Sequence, residues 1–443
     1  MTRARPRNAL PAVGLAVAAV VALGASLWRP AIAADAPPAA ASTFDAATVA
    51  KGAQLAAVGN CSSCHTTSDG MPFAGGVPLA TPFGTIHGTN ITPDRETGIG
   101  DWSQQSFARA MQEGIARDGS HLYPAFPYDH FTHTGDDDLR ALYAFVMTRD
   151  PVHAPNLPND LRFPFSVRPL VAGWNLLFLH RASFQPDAAQ SAEWNRGAYL
   201  VESLGHCGGC HAPRNGLGAE KKNAGLSGGE AEGWYVPALD HASPSPLPWS
   251  VDSLTMYLRT GITADHAMAG GPMQEVVTSL ANASAEDVRA IAVYIVASMG
   301  PTDAERTTRA DGAQRRAAQA SLDAVGSGAT AGGDAATMRL GATVYDGACA
   351  RCHDLGRAVS SAGALQLPLA VAVYDPDPRS LIRIIRQGIV PPQSQRGRWM
   401  PAFGATLTDD QLTALLGYLR SAAADAPPWP DLAKVVRDTK ASP

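Results

Sequence analysis

The feature that most constrains this chain is the placement of its cysteines. The sequence has 443 residues and six cysteines, and all six belong to three copies of the pattern Cys-x-x-Cys-His. The copies read CSSCH, CGGCH and CARCH, with the residues Cys61, Cys64 and His65, then Cys207, Cys210 and His211, and finally Cys349, Cys352 and His353. No cysteine is left over for a disulfide, so the chemistry of this pattern accounts for every thiol.

The spacing within each copy is the one required for covalent attachment of haem c. Two thiols three residues apart can each form a thioether with a porphyrin vinyl group, and the next residue places an imidazole beneath the iron. A structural zinc site needs four protein ligands close together, whereas these thiol pairs lie far apart in the chain. A redox-active thiol pair would not need the histidine. The sequence therefore predicts three haem c groups, each with an axial histidine.

Each copy is framed by two segments with the periodicity of amphipathic helices. The upstream segments carry a glycine shortly before the first cysteine, at Gly52, Gly197 and Gly341. The downstream segments, DDDLRALYAFVM, AEDVRAIAVYIV and TDDQLTALLGYLR, begin with acidic residues, which favour a helix N-terminus. A glycine lets a second helix cross closely, and each downstream segment has an aromatic residue at the same point. This repeat predicts an all-α fold of three class I cytochrome c domains in tandem.

The first residues have the composition of an export signal. Arg3, Arg5 and Arg7 form a basic head, an apolar run follows over residues 11–28, and AIAADA offers a cleavage site after Ala33. An uncleaved membrane anchor is the alternative, because the run is near the shortest length that spans a bilayer. The formal net charge of the whole chain is −5, so nothing indicates the basic surface that nucleic-acid binding needs.

The repeats and the composition between them divide the chain into seven segments. The predicted boundaries are 1–33 signal peptide, 44–150 first cytochrome c domain, 151–192 connector, 193–302 second domain, 303–336 linker, 337–425 third domain and 426–443 C-terminal tail. The linker is rich in alanine and glycine. The connector contains FPFSVRPLVAGWNLLFLH, which is too short and interrupted to span a membrane. It is either packed across two domains or a docking surface for a partner or the membrane interface.

A methionine thioether opposite the histidine is the usual second axial ligand in electron-transfer cytochromes. In the third repeat, RWMPAFG offers Met400 shortly before the acidic start of the last helix. In the second repeat, AMAGGPMQEVV offers Met273, with Met268 as its rival. The corresponding stretch of the first repeat, HLYPAFPYDHFTH, has Phe126 and no methionine. The sequence therefore predicts methionine ligation of two irons and a different ligand for the first.

Histidines near Phe126 are the candidates for that different ligand. His130 is the predicted iron ligand and His133 the second choice, while His121 is farther from the last helix. Imidazole is an excellent ligand for iron, so coordination by two histidines is chemically ordinary. An open or water-bound iron is the alternative. Because a thioether raises the reduction potential, the first haem is predicted to have the lowest potential of the three.

With these motifs the chain resembles the tri-haem cytochrome c subunits of membrane-bound periplasmic dehydrogenases. The resemblance rests on NITPDRETGIGDWSQQSFARAM, HLYPAFPY, SAEWNRGAYLVESLGHCGGCHAPRN, GGPMQEVV and the three haem motifs. It implies a large dehydrogenase subunit that oxidises an alcohol, sugar or aldehyde. It also implies that the cytochrome passes the electrons to ubiquinone, on the periplasmic side of the inner membrane.

The chain departs from the alcohol- and gluconate-type members of that family at Phe126. Those members usually have Ala-Met-Pro-Tyr there, with the methionine as ligand. PAFPYDHFT and RPLVAGWNLLFL look more like the members that accompany molybdenum hydroxylases, which oxidise aldehydes or nitrogen heterocycles and include a small iron–sulfur subunit. The resemblance therefore implies a molybdenum-containing partner. A quinoprotein alcohol dehydrogenase or a flavin sugar-acid dehydrogenase is the alternative partner.

The predicted function is electron transfer, with no catalytic residue and no substrate site in this chain. A haem peroxidase would need an open distal position, and Met273 and Met400 would close that position in two of the repeats. A soluble electron shuttle is the third hypothesis. The apolar connector argues for a fixed partner instead.

Overall fold

The structure is a computed structural model that describes residues 29–32, 43–221, 223–319, 321–322, 334–355, 357, 365–390 and 400–439. The predicted export signal lies outside these residues, apart from 29–32. Up to residue 183 the elements are α1 (Ala46–Val58), α2 (Cys61–His65), β1 (Pro78–Thr81), β2 (Gly84–His87), α3 (Gln104–Glu113), α4 (Tyr128–Phe131), α5 (Asp136–Met147), β3 (Asp160–Leu161) and α6 (Val171–Phe178). From residue 184 they are α7 (Ala192–Glu202), α8 (Gly208–His211), β4 (Gly229–Ala231), β5 (Trp234–Val236), α9 (Val251–Thr260), α10 (Pro272–Leu280), α11 (Ala285–Ser298), α12 (Ala304–Ala317), α13 (Ala335–Ala348), α14 (Ala350–His353), α15 (Val371–Tyr374), α16 (Arg379–Gln387), α17 (Asp409–Ala422) and α18 (Leu432–Asp438).

Contacts along the chain define two compact units. The first unit contains residues 1–52 and 68–183, and the second contains residues 53–67 and 184–443, so the boundary passes through α1. The second unit therefore includes α2, with the first Cys-x-x-Cys-His motif, and every element from α7 onward. The seven-segment division made from the sequence stays a prediction.

Three pairs of helices cross at a glycine: α1 with α5, α7 with α11, and α13 with α17. A Cβ added to Gly52 would lie 2.6 Å from the carbonyl carbon of Ala141, and one added to Gly197 would lie 2.6 Å from that of Ala290. Gly341 of α13 meets α17 in the same way. These distances are shorter than any carbon–carbon contact in a packed interior. The close crossing expected at the three glycines is therefore present in each pair.

An ion pair flanks two of these crossings. Lys51 Nζ lies 2.5 Å from a carboxylate oxygen of Asp138. Arg196 donates two hydrogen bonds, of 2.7 and 3.0 Å, to the two carboxylate oxygens of Asp287. The third repeat has Leu340 at the position of the basic residue. Both acidic partners lie in the first turn of their helix, so the acidic residues that begin these helices also hold the crossing together.

The fold is mainly helical, but it is not purely α. Strands β1 and β2 pair antiparallel with β3 at the edge of β2, and β4 and β5 form a separate hairpin. The all-α prediction missed these small sheets because their strands have two to four residues and no apolar alternation. Turn residues mark the hairpin instead. Glu232 and Gly233 both have positive φ, of 51° and 75°, as a tight two-residue hairpin turn requires.

The segment expected to be a linker, residues 303–336, contains the helix α12. The side chain of Asp303 caps this helix by accepting a hydrogen bond of 2.8 Å from the backbone N–H of Arg306. Ala313 is fully buried, and Arg316 Nε donates to the carbonyl of Ala423 at 2.9 Å. Alanine is the strongest helix former, so an alanine-rich composition that suggested flexibility folds as a helix packed against the end of α17.

Candidate functional site

The three Cys-x-x-Cys-His motifs fold as short helical turns. The first motif forms α2, while Cys207 and Cys349 stand at the N-terminal ends of α8 and α14. Residues three apart lie on the same face of a helical turn, so both thiols of each motif face the same way. None of the six cysteines forms a disulfide. Two thioether bonds to one porphyrin require this arrangement.

Burial controls the chemistry of the leading thiol in each motif. It raises the pKa of Cys61 and of Cys207 to about 12, and the neighbouring cysteine of each pair adds to the effect. In the third motif burial raises the pKa of Cys349 to about 11. Thiol–disulfide exchange needs a thiol with a lowered pKa. These half-buried thiols, with raised pKa values, suit the wall of a haem pocket better than a redox-active thiol pair.

Two of the motif histidines have a fixed orientation. His211 Nδ1 lies 2.8 Å from the carbonyl oxygen of Pro237, and His353 Nδ1 lies 2.7 Å from that of Leu365. A carbonyl oxygen only accepts, so Nδ1 carries the proton and Nε2 keeps the lone pair that an iron needs. Burial lowers the pKa of His211 to about 4 and also lowers the pKa of His353, which keeps both imidazoles neutral. Two thiols and a neutral imidazole form a donor set that fits haem c.

The first motif lies beside the second repeat within the second unit. His65 ends α2 and is half-buried. Ser62 Oγ is 3.5 Å from Ser279 Oγ of α10. Burial raises the pKa of Cys210, and the Cys64 thiol contributes to that rise, so the thiols of the two motifs are electrostatic neighbours. A group attached at the first motif is therefore close to one attached at the second.

In each repeat, the helix before the candidate sixth ligand ends at a glycine with positive φ. These glycines are Gly114, Gly261 and Gly388, with φ of 63°, 72° and 74°, at the ends of α3, α9 and α16. The twelfth residue after the glycine is, in chain order, Phe126, Met273 and Met400. This spacing can be read from the sequence once the glycines are recognised as helix ends. It favours Met273 over its rival and places Phe126 at the position of the two candidate methionines.

Backbone pairing gives a second way to align the three repeats, because the residue after each of these glycines pairs with a residue farther along the chain. The isoleucine after the glycine pairs with Met400 in the third repeat, with Met268 in the second and with His121 in the first. In the third repeat the two paired residues exchange hydrogen bonds of 2.9 Å. Chain spacing and backbone pairing both favour Met400 as the candidate ligand in the third repeat. Chain spacing selects Met273 and backbone pairing selects Met268, so Met273 stays a prediction.

At this spacing the first repeat has the aromatic ring of Phe126, where the other two repeats have Met273 and Met400. The ring centroid of Phe126 lies 5.3 Å from that of Phe131. His130, the predicted ligand, is half-buried in α4. His133 Nδ1 lies 2.7 Å from the carbonyl oxygen of Ala182, the type of contact that orients two of the motif histidines. His130 stays a prediction, and His133 has the fixed orientation expected of an iron ligand.

Residues 270–274 of the second repeat contact residues 389–390 of the third, within the second unit. A Cβ added to Gly270 would lie 3.7 Å from a side-chain carbon of Ile389, which is ordinary van der Waals contact. In addition, Gln274 Nε2 donates to the backbone carbonyl of Val390. Gly270 and Gln274 flank Met273, and their partners Ile389 and Val390 directly follow Gly388 at the end of α16. The segment that holds Met273 therefore packs directly on the residues that follow α16.

Comparison with known proteins identifies the kind of domain. Residues 49–150 match the family model described as cytochrome c. Residues 336–419 match the one described as cytochrome C oxidase, cbb3-type, subunit III. Cytochrome c domains indicate covalently bound haem c, in agreement with the geometry of the thiols and histidines.

Relatives of known function identify the family. The chain is 44% identical over 419 residues to a nicotinate dehydrogenase subunit of Pseudomonas putida, a match that covers 94% of this chain and 34% of the relative. It is 40% identical over 392 residues to the gluconate 2-dehydrogenase cytochrome c subunit of Pantoea cypripedii, covering 84% and 85% of the two chains. It is 35% identical over 396 residues to the cytochrome c subunit of the quinone alcohol dehydrogenase of Gluconobacter oxydans, covering 85% and 78%. The resemblance drawn from the sequence is thus confirmed, and the chain belongs to the family of cytochrome c subunits of dehydrogenases.

Proposed function

We propose that the chain is a tri-haem electron-transfer subunit, composed of three cytochrome c domains in tandem. It carries electrons from a dehydrogenase to ubiquinone on the periplasmic side of the inner membrane. The observation that carries the proposal is the repeated donor set of two thiols followed by a histidine, with Nε2 of His211 and His353 left for an iron. Haem supplies the one-electron chemistry, and the chain supplies the axial ligands and the distances between the haems.

A molybdenum hydroxylase that includes a small iron–sulfur subunit is the electron donor that we favour. PAFPYDHFT supports this donor because it resembles the corresponding stretch in cytochromes that accompany such enzymes. The name of the 44% identical relative supports it as well, since nicotinate is a nitrogen heterocycle. The alternative donor is an alcohol or sugar-acid dehydrogenase, to whose cytochrome subunits the chain is 35% and 40% identical.

Metal and haem analysis of the complex tests this proposal. The chain is purified through a tag from gently solubilised membranes, and molybdenum and haem are measured together. We expect about one molybdenum for every three haems, and reduction of the haems when an aldehyde or a nitrogen heterocycle is added. A complex with a bound quinone or flavin cofactor and no molybdenum would establish the alternative donor. A Cys349→Ala, Cys352→Ala control should lose one of the three haems, which checks the count.

Replacing His130 with alanine is expected to convert the first haem from low spin to high spin, because the iron would lose its sixth ligand. The measurement is electron paramagnetic resonance of the oxidised complex. His133→Ala is the matched control and should leave the low-spin signal intact. Conversion in His133→Ala, with none in His130→Ala, would assign the ligand to His133.

The connector supplies a surface suited to the membrane. Large apolar side chains in it are exposed, namely Phe163, Leu170, Leu176 and Leu177 at 83%, 56%, 68% and 60%. Residues 162–181 contain three arginines and no acidic residue, in a chain of net charge −5. Among the described residues, no helix has both the length and the apolar character needed to cross a bilayer. Apolar and basic side chains side by side are typical of segments that lie in an anionic membrane interface.

The double variant Leu176→Ser, Leu177→Ser is expected to weaken binding of the complex to anionic vesicles about tenfold, because each serine removes apolar area from the interface. Flotation with phosphatidylglycerol-containing vesicles measures this binding. Met71→Ser is the control, because Met71 is also exposed, at 56%, but lies outside the connector. Equal binding of the double variant and the control would rule out this segment as the membrane contact.

A further inference from the structure

The hairpin β4–β5 lies against His211 of the second haem motif. The backbone N–H of Gly228 donates to the carbonyl of His211 at 2.7 Å. At the same open end of the hairpin, the carbonyl of Pro237, which follows β5, accepts the hydrogen bond of 2.8 Å from His211 Nδ1. The residues that flank the two strands therefore hold the backbone and the imidazole of His211 together.

The same hairpin also reaches the methionine side of this site. Trp234, at the start of β5, is only 9% exposed. Its ring lies against Gly271, where an added Cβ would be 2.6 Å from Trp234 Cζ2. Gly271 has φ of 54° and immediately precedes α10, whose second residue is Met273. The position of the Trp234 ring is thus tied to the backbone that presents Met273.

Helix α16 of the third repeat holds the hairpin in place. Ser380 Oγ donates to the carbonyl of Tyr235 at 2.6 Å, and Arg383 Nε donates to the carbonyl of Gly233 at 3.0 Å. Arg383 is 8% exposed, and its guanidinium carbon lies 5.8 Å from the centre of the Trp234 ring. A buried arginine of the third repeat therefore packs on the residue that contacts the distal loop of the second.

We propose that Arg383 is a positioning residue for the second haem, acting through Trp234 on the backbone at Gly271 that precedes Met273, and that its charge favours the reduced form. The proposal rests on the proposed roles of His211 and Met273 as axial ligands. Ferric haem carries one more positive charge than ferrous haem, so a cation held in the protein interior opposes oxidation. The step concerned is the uptake of one electron by the iron from a neighbouring haem, and no bond forms or breaks.

Redox titration of the intact complex, followed by visible absorption and electron paramagnetic resonance, tests the proposal. Arg383→Gln is expected to shift the ratio of oxidised to reduced second haem about tenfold toward the oxidised form, which is about 59 mV for one electron. Arg383→Lys keeps the charge and should shift the ratio much less. Arg379→Gln is the matched control, because Arg379 lies on the same helix and forms ion pairs with Glu230 and Asp377 at 2.6 and 2.9 Å, whereas Arg383 lies over the Trp234 ring. An unchanged potential in Arg383→Gln, or an equal shift in Arg379→Gln, would overturn the proposal.

Met273→Leu separates a failure of this inference from a failure of its premise. If Met273 is the ligand, this variant abolishes the methionine-to-iron absorption band of the second haem. Loss of the band together with an unchanged potential in Arg383→Gln would overturn the role of Arg383 alone. A band that survives in Met273→Leu would overturn the ligand assignment, and with it the route through Trp234.

Discussion

Alanine at Gly341 is expected to disrupt the third repeat. The added methyl carbon would lie 2.8 Å from the carbonyl carbon of Ala414 and 2.7 Å from Cβ of Tyr418, both on the facing helix α17. Non-bonded carbon atoms pack at about 3.5–4.0 Å, so the two helices would have to separate along a buried core. We expect the free energy of unfolding of this repeat to fall by about 3 kcal/mol. We also expect less haem to be retained at Cys349.

Gly417→Ala is the matched control for this variant. Gly417 lies in α17, on the other helix of the same pair, and an added Cβ would meet no atom within 4 Å apart from its chain neighbours and its own helix backbone. Helix propensity alone predicts a gain of about 1 kcal/mol there. Denaturant titration of the holoprotein, followed by the haem absorption, measures both changes. A Gly341→Ala protein as stable as the wild type would show that the two helices are not held at this separation.

Methionine at Phe126, introduced together with His130→Ala so that the proposed histidine ligand cannot compete, is expected to give the first haem the ligand that the other two are proposed to have. The position is the twelfth after the glycine that ends α3, as Met273 and Met400 are after theirs. A thioether ligand raises the reduction potential, and axial ligands set haem potentials over a span of about 0.8 V. We therefore expect a rise of about 0.1 V or more in the lowest potential of the complex, together with a new methionine-to-iron absorption band.

Phe131→Met controls for the loss of an aromatic ring from the same cluster. Phe131 is 4% exposed and its ring lies 5.3 Å from that of Phe126, but it does not have the repeated spacing. It should leave the potential and the spectrum of the first haem unchanged. If neither substitution introduces the band, Phe126 does not occupy the position of the methionines.

The parts of the fold that follow from local sequence could be predicted. The acidic first turns and the helical turn of each motif are fixed by residues within a few positions of one another. The glycines of the helix crossings were recognisable because they recur in all three repeats. Helix α12 was missed because alanine and arginine without an apolar stripe of large residues resemble a linker. The hairpin β4–β5 was missed because only its turn residues mark it.

The parts of the site that depend on distant residues could not be predicted. The carbonyl that orients His211 comes from Pro237, 26 residues away, and the one that orients His353 comes from Leu365, 12 residues away. Every residue type has a backbone carbonyl, so no sequence motif identifies the carbonyls that accept these hydrogen bonds. The choice between Met268 and Met273 also depends on how the distal loop folds, which residue type alone does not determine.

The contact of residues 270–274 in the second repeat with residues 389–390 in the third has a consequence for how such chains can be recombined. Gly270 lies against the side chain of Ile389, and Gln274 Nε2 donates a hydrogen bond to the backbone carbonyl of Val390. A second repeat taken from a relative would place different side chains against residues 389–390 of this chain. Exchange of the second and third repeats together is expected to preserve this contact, while exchange of either alone would leave a mismatched surface between them. A boundary placed between the second and third repeats of this chain would therefore cut through a packed contact, although each repeat has its own Cys-x-x-Cys-His motif.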